Sequence, residues 1–190
     1  MEVSKHYTPQ QTGWIEVICG CMYSGKTEEL IRRLRRAQIA KQVVEIYKPR
    51  IDNRYSATHI VSHSEQTFPS VVVDDAFEIL RRASKAQVVG IDEAQFFKAN
   101  VVDVCEELAN QGKRIIVAGL DQDYRGKPFE PIPQLLCVAE YITKTLAICV
   151  VCGNPADRTQ RVVTSKDRVL VGAKDMYEAR CRQCFAAPKE

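Results

Sequence analysis

The segment Gly20-Cys-Met-Tyr-Ser-Gly-Lys-Thr27 matches the pattern G-x-x-x-x-G-K-[ST] at every fixed position. An apolar run, Trp14–Cys19, precedes it, and from residue 26 to about residue 41 apolar residues recur near helical spacing. In a loop between a strand and a helix, such glycines let successive backbone N–H groups surround phosphate oxygens. A chance match in a strand-to-helix turn is the alternative, and this context makes it the weaker one. The sequence therefore predicts a Walker A phosphate-binding loop.

The side chains and the backbone of this loop have separate predicted roles. The Lys26 ammonium is expected to reach the β- and γ-phosphates of ATP, and the Thr27 hydroxyl can ligate Mg²⁺. The other predicted ATP-binding residues of the loop are Gly20, Cys21, Met22, Tyr23, Ser24 and Gly25. The loop thus predicts ATP as a ligand, with magnesium as its counter-ion.

A second, acidic motif follows an apolar strand. The run Val88-Val-Gly-Ile91 ends in the adjacent carboxylates Asp92 and Glu93, which is the pattern of a Walker B motif. One carboxylate can hold Mg²⁺, and its neighbour can orient or deprotonate an attacking nucleophile. Taken alone, such a pair more often belongs to a solvated turn or a helix cap. Its place downstream of the phosphate loop, in the same alternating core, favours the catalytic interpretation.

Strand and helix patterns alternate along the chain as far as residue 119. Strands are predicted at 43–47, 71–73, 87–91 and 114–119, and helices at 76–84 and 101–110. Asn100 is expected to be the N-cap of the second helix and Gly112 to end it, while Cys105 and Cys137 are expected in the core. The alternation predicts parallel βαβ units, and therefore an α/β fold with a P-loop NTPase-like parallel sheet.

Four of the eight cysteines form two Cys-x-x-Cys pairs near the C-terminus: Cys149 with Cys152, and Cys181 with Cys184. Two such pairs can place four thiolates tetrahedrally around Zn²⁺. The 28 residues between the pairs exceed the commonest zinc-ribbon spacing, but a loop of that size can lie outside the metal site. Because all four positions are cysteine, the predicted zinc is structural. Free core cysteines or a redox pair are the weaker alternatives.

Composition excludes some classes of protein. The chain has 190 residues with a formal net charge of +3, and 45% of its residues are hydrophobic. The near balance of charge argues against a nucleic-acid-coating or membrane-surface protein, so Arg32-Arg-Leu-Arg-Arg36 is interpreted as a solvated helix face. Because the sequence contains neither a membrane-spanning run nor a secretory signal, we expect a cytoplasmic protein with no membrane and no nucleic-acid partner.

The acidic pair continues as Asp92-Glu-Ala-Gln-Phe-Phe97, a run much more specific than a Walker B motif in general. Together with the phosphate loop and the four C-terminal cysteines, it resembles the type II thymidine kinases. The resemblance extends in order from about Trp14 to Cys184. Further matching segments are Asp52-Asn-Arg-Tyr-Ser56, Gly119-Leu-Asp121, Lys127-Pro-Phe129 and Gly172-Ala-Lys-Asp-Met-Tyr177.

The resemblance implies transfer of the γ-phosphoryl group of ATP to the 5′-hydroxyl of thymidine or deoxyuridine, a pyrimidine salvage step for DNA precursor synthesis. It implies that Glu93 is the general base, and that Asp92 shares Mg²⁺ with Thr27. Arg54 is the second implied catalytic residue, stabilising phosphate charge or orienting the base. Ala94 and Gln95 are implied to join Asp92 and Glu93 in the ATP site.

The resemblance also implies a nucleoside pocket carried by the cysteine-bracketed segment, in which main-chain groups bind the base and an aromatic ring packs against the sugar or base. The implied pocket residues are Met22, Asp52, Arg54, Phe96, Leu120, Tyr124, Phe129, Thr159, Arg168, Val169, Leu170, Val171, Gly172 and Tyr177. Ordinary core packing is the alternative for the apolar members. The resemblance further implies homotetramers and feedback inhibition by thymidine triphosphate. Cys21 and Tyr124 depart from residues common in the family, and both can change the shape of the pocket.

Three regions follow from these assignments. Residues 1–13 form an N-terminal extension whose order the sequence leaves open, 14–145 a P-loop α/β ATP-binding domain, and 146–190 a zinc-binding lasso domain with the nucleoside site.

Three alternative functions also remain: a zinc-ribbon ATPase acting on nucleic acid, a non-catalytic nucleotide-binding regulator, and a kinase for a different deoxynucleoside. The first would need a basic, aromatic groove, which the charge balance disfavours.

Overall fold

The computed structural model describes residues 12–51, 59–61, 67–164 and 176–187. Six parallel strands form the main sheet, in the order β5-β2-β6-β7-β1-β8. They are β1 (Trp14–Cys19), β2 (Val44–Pro49), β5 (Val71–Val73), β6 (Val88–Ile91), β7 (Arg114–Gly119) and β8 (Tyr141–Lys144). An antiparallel pair, β3 (His59–Val61) and β4 (Thr67–Pro69), lies between β2 and β5 in the chain.

The helices are α1 (Lys26–Ile39), α2 (Ala76–Arg82), α3 (Asn100–Asn110) and α4 (Ile132–Val138). Two hydrophobic clusters show that both faces of the sheet are covered: α1 packs on one face, and α2, α3 and α4 pack on the other. Continuous apolar strands are expected in a parallel sheet with two buried faces. The predicted α/β fold with a parallel sheet is confirmed. None of the helices described here is long and apolar enough to span a bilayer.

Two small antiparallel ladders follow the main sheet. The first pairs β9 (Ala147–Ile148) with β10 (Pro155–Ala156), and the second pairs β11 (Arg158–Arg161) with β12 (Tyr177–Arg180). Their buried side chains form a separate small cluster with the phosphate loop and the cysteine pairs.

Three details differ from the sequence predictions. Helix α3 begins at Asn100 with Ala99 preceding it, and the Asn100 amide donates to the Asp75 carboxylate at 3.1 Å instead of capping its own helix. Cys137 is exposed, because it lies on the outer side of the short helix α4. Ile39, which the sequence groups with the apolar residues recurring near helical spacing, is 81% exposed, because it lies about 180° around α1 from the buried Leu30. Cys105 is fully buried and Gly112 has φ of 85°, as predicted.

Glu16 is a buried acid on β1 that holds two arginines. Its carboxylate accepts from Arg114 Nε at 2.6 Å, from Arg33 Nη1 at 2.7 Å and from Trp14 Nε1 at 2.8 Å. Burial alone would raise the pKa of Glu16, but the hydrogen bonds and the charge of Arg114 outweigh it and hold the pKa below its ordinary value. Glu16 therefore joins β1, β7 and α1 through charged hydrogen bonds.

We expect Glu16→Gln to lower the free energy of unfolding by about 2–3 kcal/mol at pH 7, because it leaves the partly buried guanidinium of Arg114 without its counter-ion and takes from Arg33 one of its two carboxylate partners, the other being Glu29. The folded-state pKa lies below the ordinary 4.5, so the stabilisation is complete above that pH and is lost as pH falls through the folded-state value. Urea unfolding of both proteins at several pH values measures the difference, which should shrink in acid. The exposed control Glu107→Gln should stay within about 0.5 kcal/mol, and an equal loss in both variants would contradict the assignment.

Candidate active site

The phosphate loop connects β1 to α1 through three residues with positive φ. Gly20 has φ of 148°, Tyr23 of 66° and Gly25 of 83°. A Cβ on Gly20 would lie 2.3 Å from the Thr145 carbonyl oxygen, so only glycine fits there. Thr145 also accepts or donates a hydrogen bond with Ser24 across 2.9 Å between the hydroxyl oxygens. The loop is therefore held by the segment that follows β8 as well as by its own glycines.

The Walker side chains meet at the carboxyl edge of the sheet. Lys26 Nζ donates to the Cys21 carbonyl at 2.7 Å, and the Thr27 hydroxyl donates to Asp92 Oδ2 at 3.4 Å. Adjacent ligands of an octahedral Mg²⁺ lie about 3 Å apart. The Thr27 and Asp92 oxygens therefore fit the magnesium site that the sequence predicts. Asp92 is buried, which limits competition from water.

Glu93 adopts a left-handed conformation, with φ of 52° and ψ of 41°, directly after β6. Few residues other than glycine adopt this conformation, and such strain is concentrated at functional sites. The Gln95 amide nitrogen donates to the Glu93 carboxylate, and its oxygen accepts from Leu120 N at 3.0 Å. Gln95 is 3% exposed. It therefore links Glu93 to the end of the neighbouring strand β7.

Strand order explains how these groups converge. Strand β7 lies between β1, which leads into the phosphate loop, and β6, which leads into Asp92 and Glu93. Because all three strands are parallel, their carboxyl ends share one edge of the sheet. A small cavity at that edge is lined by Met22, Tyr23, Gly25, Lys26, Thr27, Glu28, Glu93 and Leu120.

The phosphate loop also contacts the small C-terminal ladders directly. The Cys21 thiol lies 3.3 Å from the Ala156 carbonyl, and Met22 N donates to the Thr159 hydroxyl at 3.1 Å. The Tyr23 hydroxyl donates to the Tyr177 carbonyl at 3.1 Å. Burial raises the pKa of Cys21, more than the nearby charge of Lys26 lowers it, so this thiol stays protonated. The sequence showed no signal for these contacts, which join residues far apart in the chain.

The cysteine pairs converge as the sequence predicts. The sulfur atoms of Cys149, Cys152, Cys181 and Cys184 all lie within 4.8 Å of one another. The Cys152 and Cys181 sulfurs are 3.6 Å apart, close to the roughly 3.8 Å that a tetrahedral ZnS₄ site requires. The donor set and its spacing therefore fit structural zinc.

The charge of this cluster points to a cation. Burial opposes ionisation of Cys149, but backbone N–H groups of Cys181 and Cys152 outweigh it and lower the pKa of Cys149 to about 6. The protonated Cys184 thiol donates hydrogen bonds to Cys152 and Cys181, and these bonds together with burial raise the pKa of Cys184 to about 12. Four thiolates this close repel one another, so a divalent cation is needed to ionise all of them.

Several predicted pocket residues are aromatic and contact one another or Arg161. The Phe96 and Phe129 rings meet edge to face, with centroids 6.2 Å apart. The Arg161 guanidinium lies 3.6 Å from the centroid of the Tyr124 ring, and its Nη2 donates to the Tyr177 hydroxyl at 2.9 Å. Both tyrosines are predicted pocket residues, but Arg161 was not predicted, because no local sequence pattern marks an arginine that lies against two distant rings.

An ion pair near the phosphate loop was likewise not predicted from the sequence. Lys144 Nζ lies 2.7 Å from Asp121 Oδ2, joining the ends of β8 and β7. Asp121 follows Leu120, another predicted pocket residue. Seven predicted site residues lie outside the described residues: Asp52, Arg54, Arg168, Val169, Leu170, Val171 and Gly172.

Comparisons with known proteins agree with this geometry. A profile of the thymidine kinase family, described as "Thymidine kinase", matches residues 13–185. The chain belongs to the thymidine kinase family. It is 63% identical, over 177 residues, to a thymidine kinase of Rhodothermus sp. (strain ITI 518), and the match covers 93% of this chain and 83% of that protein. The predicted resemblance to the type II thymidine kinases is confirmed.

Among solved structures, the chain is similar to the X-ray structure of the Legionella pneumophila ATPase DotB. The TM-score is 0.44 at 18% identity, with 78% of this chain and 44% of that chain covered. Family membership identifies the chain as a kinase that uses ATP and phosphorylates thymidine. The alternatives of a nucleic-acid ATPase and of a non-catalytic regulator are thereby set aside.

Proposed function

We propose that the enzyme transfers the γ-phosphoryl group of Mg-ATP to the 5′-hydroxyl of thymidine, and also of deoxyuridine, at the cavity between the phosphate loop and Glu93. One observation carries this proposal: the lysine and threonine of the loop and the strained Glu93 line the same small cavity. Phosphoryl transfer requires mainly positioning and charge stabilisation, and these groups can supply both.

On the donor side, the backbone of residues 20–25 and the Lys26 ammonium hold the phosphates of ATP. Thr27 and Asp92 would hold Mg²⁺, which when bound neutralises charge on the phosphate oxygens. Ala94 and Gln95 begin the short turn Ala94–Phe96 behind Glu93 and are kept as part of the ATP site in this proposal.

On the acceptor side, Glu93 accepts the proton of the 5′-hydroxyl as the general base. Its partly buried carboxylate borders the same cavity as Lys26. The proposed nucleoside walls are Met22, Phe96, Leu120, Tyr124, Phe129, Thr159 and Tyr177, with Asp52, Arg54 and residues 168–172 added by the resemblance. Met22 donates a hydrogen bond to Thr159, and Tyr23 donates one to Tyr177. These bonds support a single site that holds both ATP and the nucleoside.

The four cysteines would hold a structural Zn²⁺, which fixes the two Cys-x-x-Cys turns relative to each other.

We also propose the division into an ATP-binding domain over 14–145 and a lasso domain over 146–190. Support comes from the ends of the elements: the last strand of the main sheet ends at Lys144, and the first small ladder begins at Ala147. The thymidine triphosphate feedback, the homotetramer and the cytoplasmic location remain proposals from the resemblance.

Phosphate-transfer assays test this function. Incubation of the purified enzyme with γ-labelled ATP, Mg²⁺ and either thymidine or deoxyuridine should yield the labelled 5′-monophosphate. Chelation of Mg²⁺ should stop the transfer, and thymidine triphosphate should inhibit it competitively with thymidine. Label found on the 3′-hydroxyl, or transfer unaffected by chelation, would contradict the proposal.

Gln95 offers a further test of the role of Glu93. We expect Gln95→Leu to lower kcat about tenfold, because the Glu93 carboxylate loses a buried hydrogen bond that orients it. KM for ATP should change less than kcat, because the backbone of residues 20–25 and Lys26 hold the phosphates, and steady-state kinetics measure both constants. A variant with normal kcat would show that Gln95 does not position the base.

A further inference from the structure

Arg161 is a buried arginine at the end of β11, with 8% of its surface exposed. Arginine is rarely buried unless its charge has partners. Its guanidinium lies 3.6 Å from the centre of the Tyr124 ring and 5.4 Å from the centre of the Tyr177 ring. It also donates a hydrogen bond to the Tyr177 hydroxyl at 2.9 Å. One side chain thus contacts two tyrosines that belong to different segments of the chain.

The two tyrosines lie in separate segments of the chain, and Arg161 contacts both of them. Tyr124 lies in the turn after β7, where Asp123 Oδ1 accepts from Arg125 N at 2.9 Å, and Tyr177 begins β12. The planar guanidinium can stack on one ring while its N–H groups bond to another group. A buried cation over an aromatic face is stronger than an exposed one. Arg161 can therefore fix the separation of the two rings.

The register of the ladder places this contact next to the phosphate loop. Arg161 is paired with Tyr177, and Thr159 is paired with Ala179, so the buried residues of the ladder share one face. That face touches the loop through the Met22 bond to Thr159 and the Tyr23 bond to the Tyr177 carbonyl. A displaced Tyr177 would therefore disturb the contacts between this ladder and the phosphate loop.

We propose that Arg161 is a positioning residue of the nucleoside site, which sets the spacing of Tyr124 and Tyr177 and through it the affinity for a pyrimidine deoxynucleoside. This inference rests on the proposed function, in which both tyrosines line the nucleoside pocket. Arg161 acts through the tyrosines, and the ATP phosphates are held by other groups. Its loss therefore raises KM for thymidine more than it lowers kcat.

Steady-state kinetics of Arg161→Met test this role. KM for thymidine is expected to rise about tenfold, since a charged hydrogen bond and a buried cation–ring contact are both lost, while KM for ATP and bound zinc stay unchanged. Arg161→Lys, which keeps the charge, should recover part of the affinity. Tyr177→Phe removes the hydroxyl acceptor, so its effect on KM should not add fully to that of Arg161→Met in the double variant. If Arg161→Met fails to fold, the Arg161→Lys and Tyr177→Phe cycle gives the same test.

Arg158→Met is the matched control, because Arg158 lies on the same strand and contacts Gln122 rather than either tyrosine. Its effect on KM for thymidine should stay below about twofold. Equal effects of the Arg158 and Arg161 variants, or fully additive effects with Tyr177→Phe, would overturn the inference. Tyr124→Leu and Tyr177→Leu separate this failure from a wrong pocket: if neither changes KM for thymidine, the pocket assignment itself fails.

Discussion

Glu93→Gln is expected to lower kcat for thymidine phosphorylation by about 10²-fold to 10⁴-fold, the usual effect of removing a general base. The amide keeps the size of the side chain and can still bond to Gln95, so the local turn should survive. It cannot accept the proton of the 5′-hydroxyl. Because the phosphate loop is untouched, the dissociation constant of Mg-ATP should stay within about threefold.

Calorimetric titration of ATP and single-turnover kinetics measure the two quantities separately. The control is Glu106→Gln, an exposed acid on α3 whose loss should leave kcat within about twofold. Turnover by Glu93→Gln equal to that of the unmodified enzyme would exclude Glu93 as the base. Loss of ATP binding together with turnover would show instead that the substitution disturbs the loop.

Replacing Cys149 or Cys181 with serine is expected to have the second large effect, the loss of bound zinc together with thymidine affinity. The cluster around these cysteines has few large side chains: besides Cys21, its other buried members are Ala147, Ala156 and Ala179. Such a small core gains little from burial alone, so the metal must supply much of its stability. Since the ladders contact Met22 and Tyr23, ATP binding should weaken as well.

Metal analysis by mass spectrometry should give about one zinc per chain in the unmodified enzyme and much less in either variant. Thermal unfolding should shift downward by several degrees, roughly what a loss of a few kcal/mol produces in a chain of this size. Cys137→Ser is the matched control, because Cys137 is exposed and lies outside the cluster. Stoichiometric zinc retained in both the Cys149 and the Cys181 variants would exclude the four-thiolate site.

Much of the site at the carboxyl edge of the sheet could be predicted, because each of its motifs requires particular elements on either side of it. The pattern from Gly20 to Thr27 requires a strand before it and a helix after it, and β1 and α1 supply both. The apolar strand before Asp92 is buried on both faces, as a central parallel strand must be. The convergence of the two Cys-x-x-Cys pairs could also be predicted, because one tetrahedral zinc takes four thiolates and each pair supplies two.

Other features depend on contacts that no local pattern contains. The left-handed Glu93 follows from tertiary packing around the turn, because glutamate has no preference for that conformation. The role proposed for Arg161 depends on its contacts with two tyrosines in other segments of the chain. Ile39 is apolar, but at 3.6 residues per turn it lies about 180° around α1 from the buried Leu30, so its side chain is exposed.

The most direct test is magnesium-ATP turnover by the purified enzyme with thymidine, deoxyuridine, deoxycytidine, deoxyguanosine and single-stranded DNA as separate acceptors. We expect formation of thymidine 5′-monophosphate that depends on thymidine and is slowed at least about 10²-fold in Glu93→Gln, a corresponding product from deoxyuridine, and little product from the other acceptors. ATP hydrolysis stimulated by DNA, with no phosphorylated nucleoside formed, would contradict it.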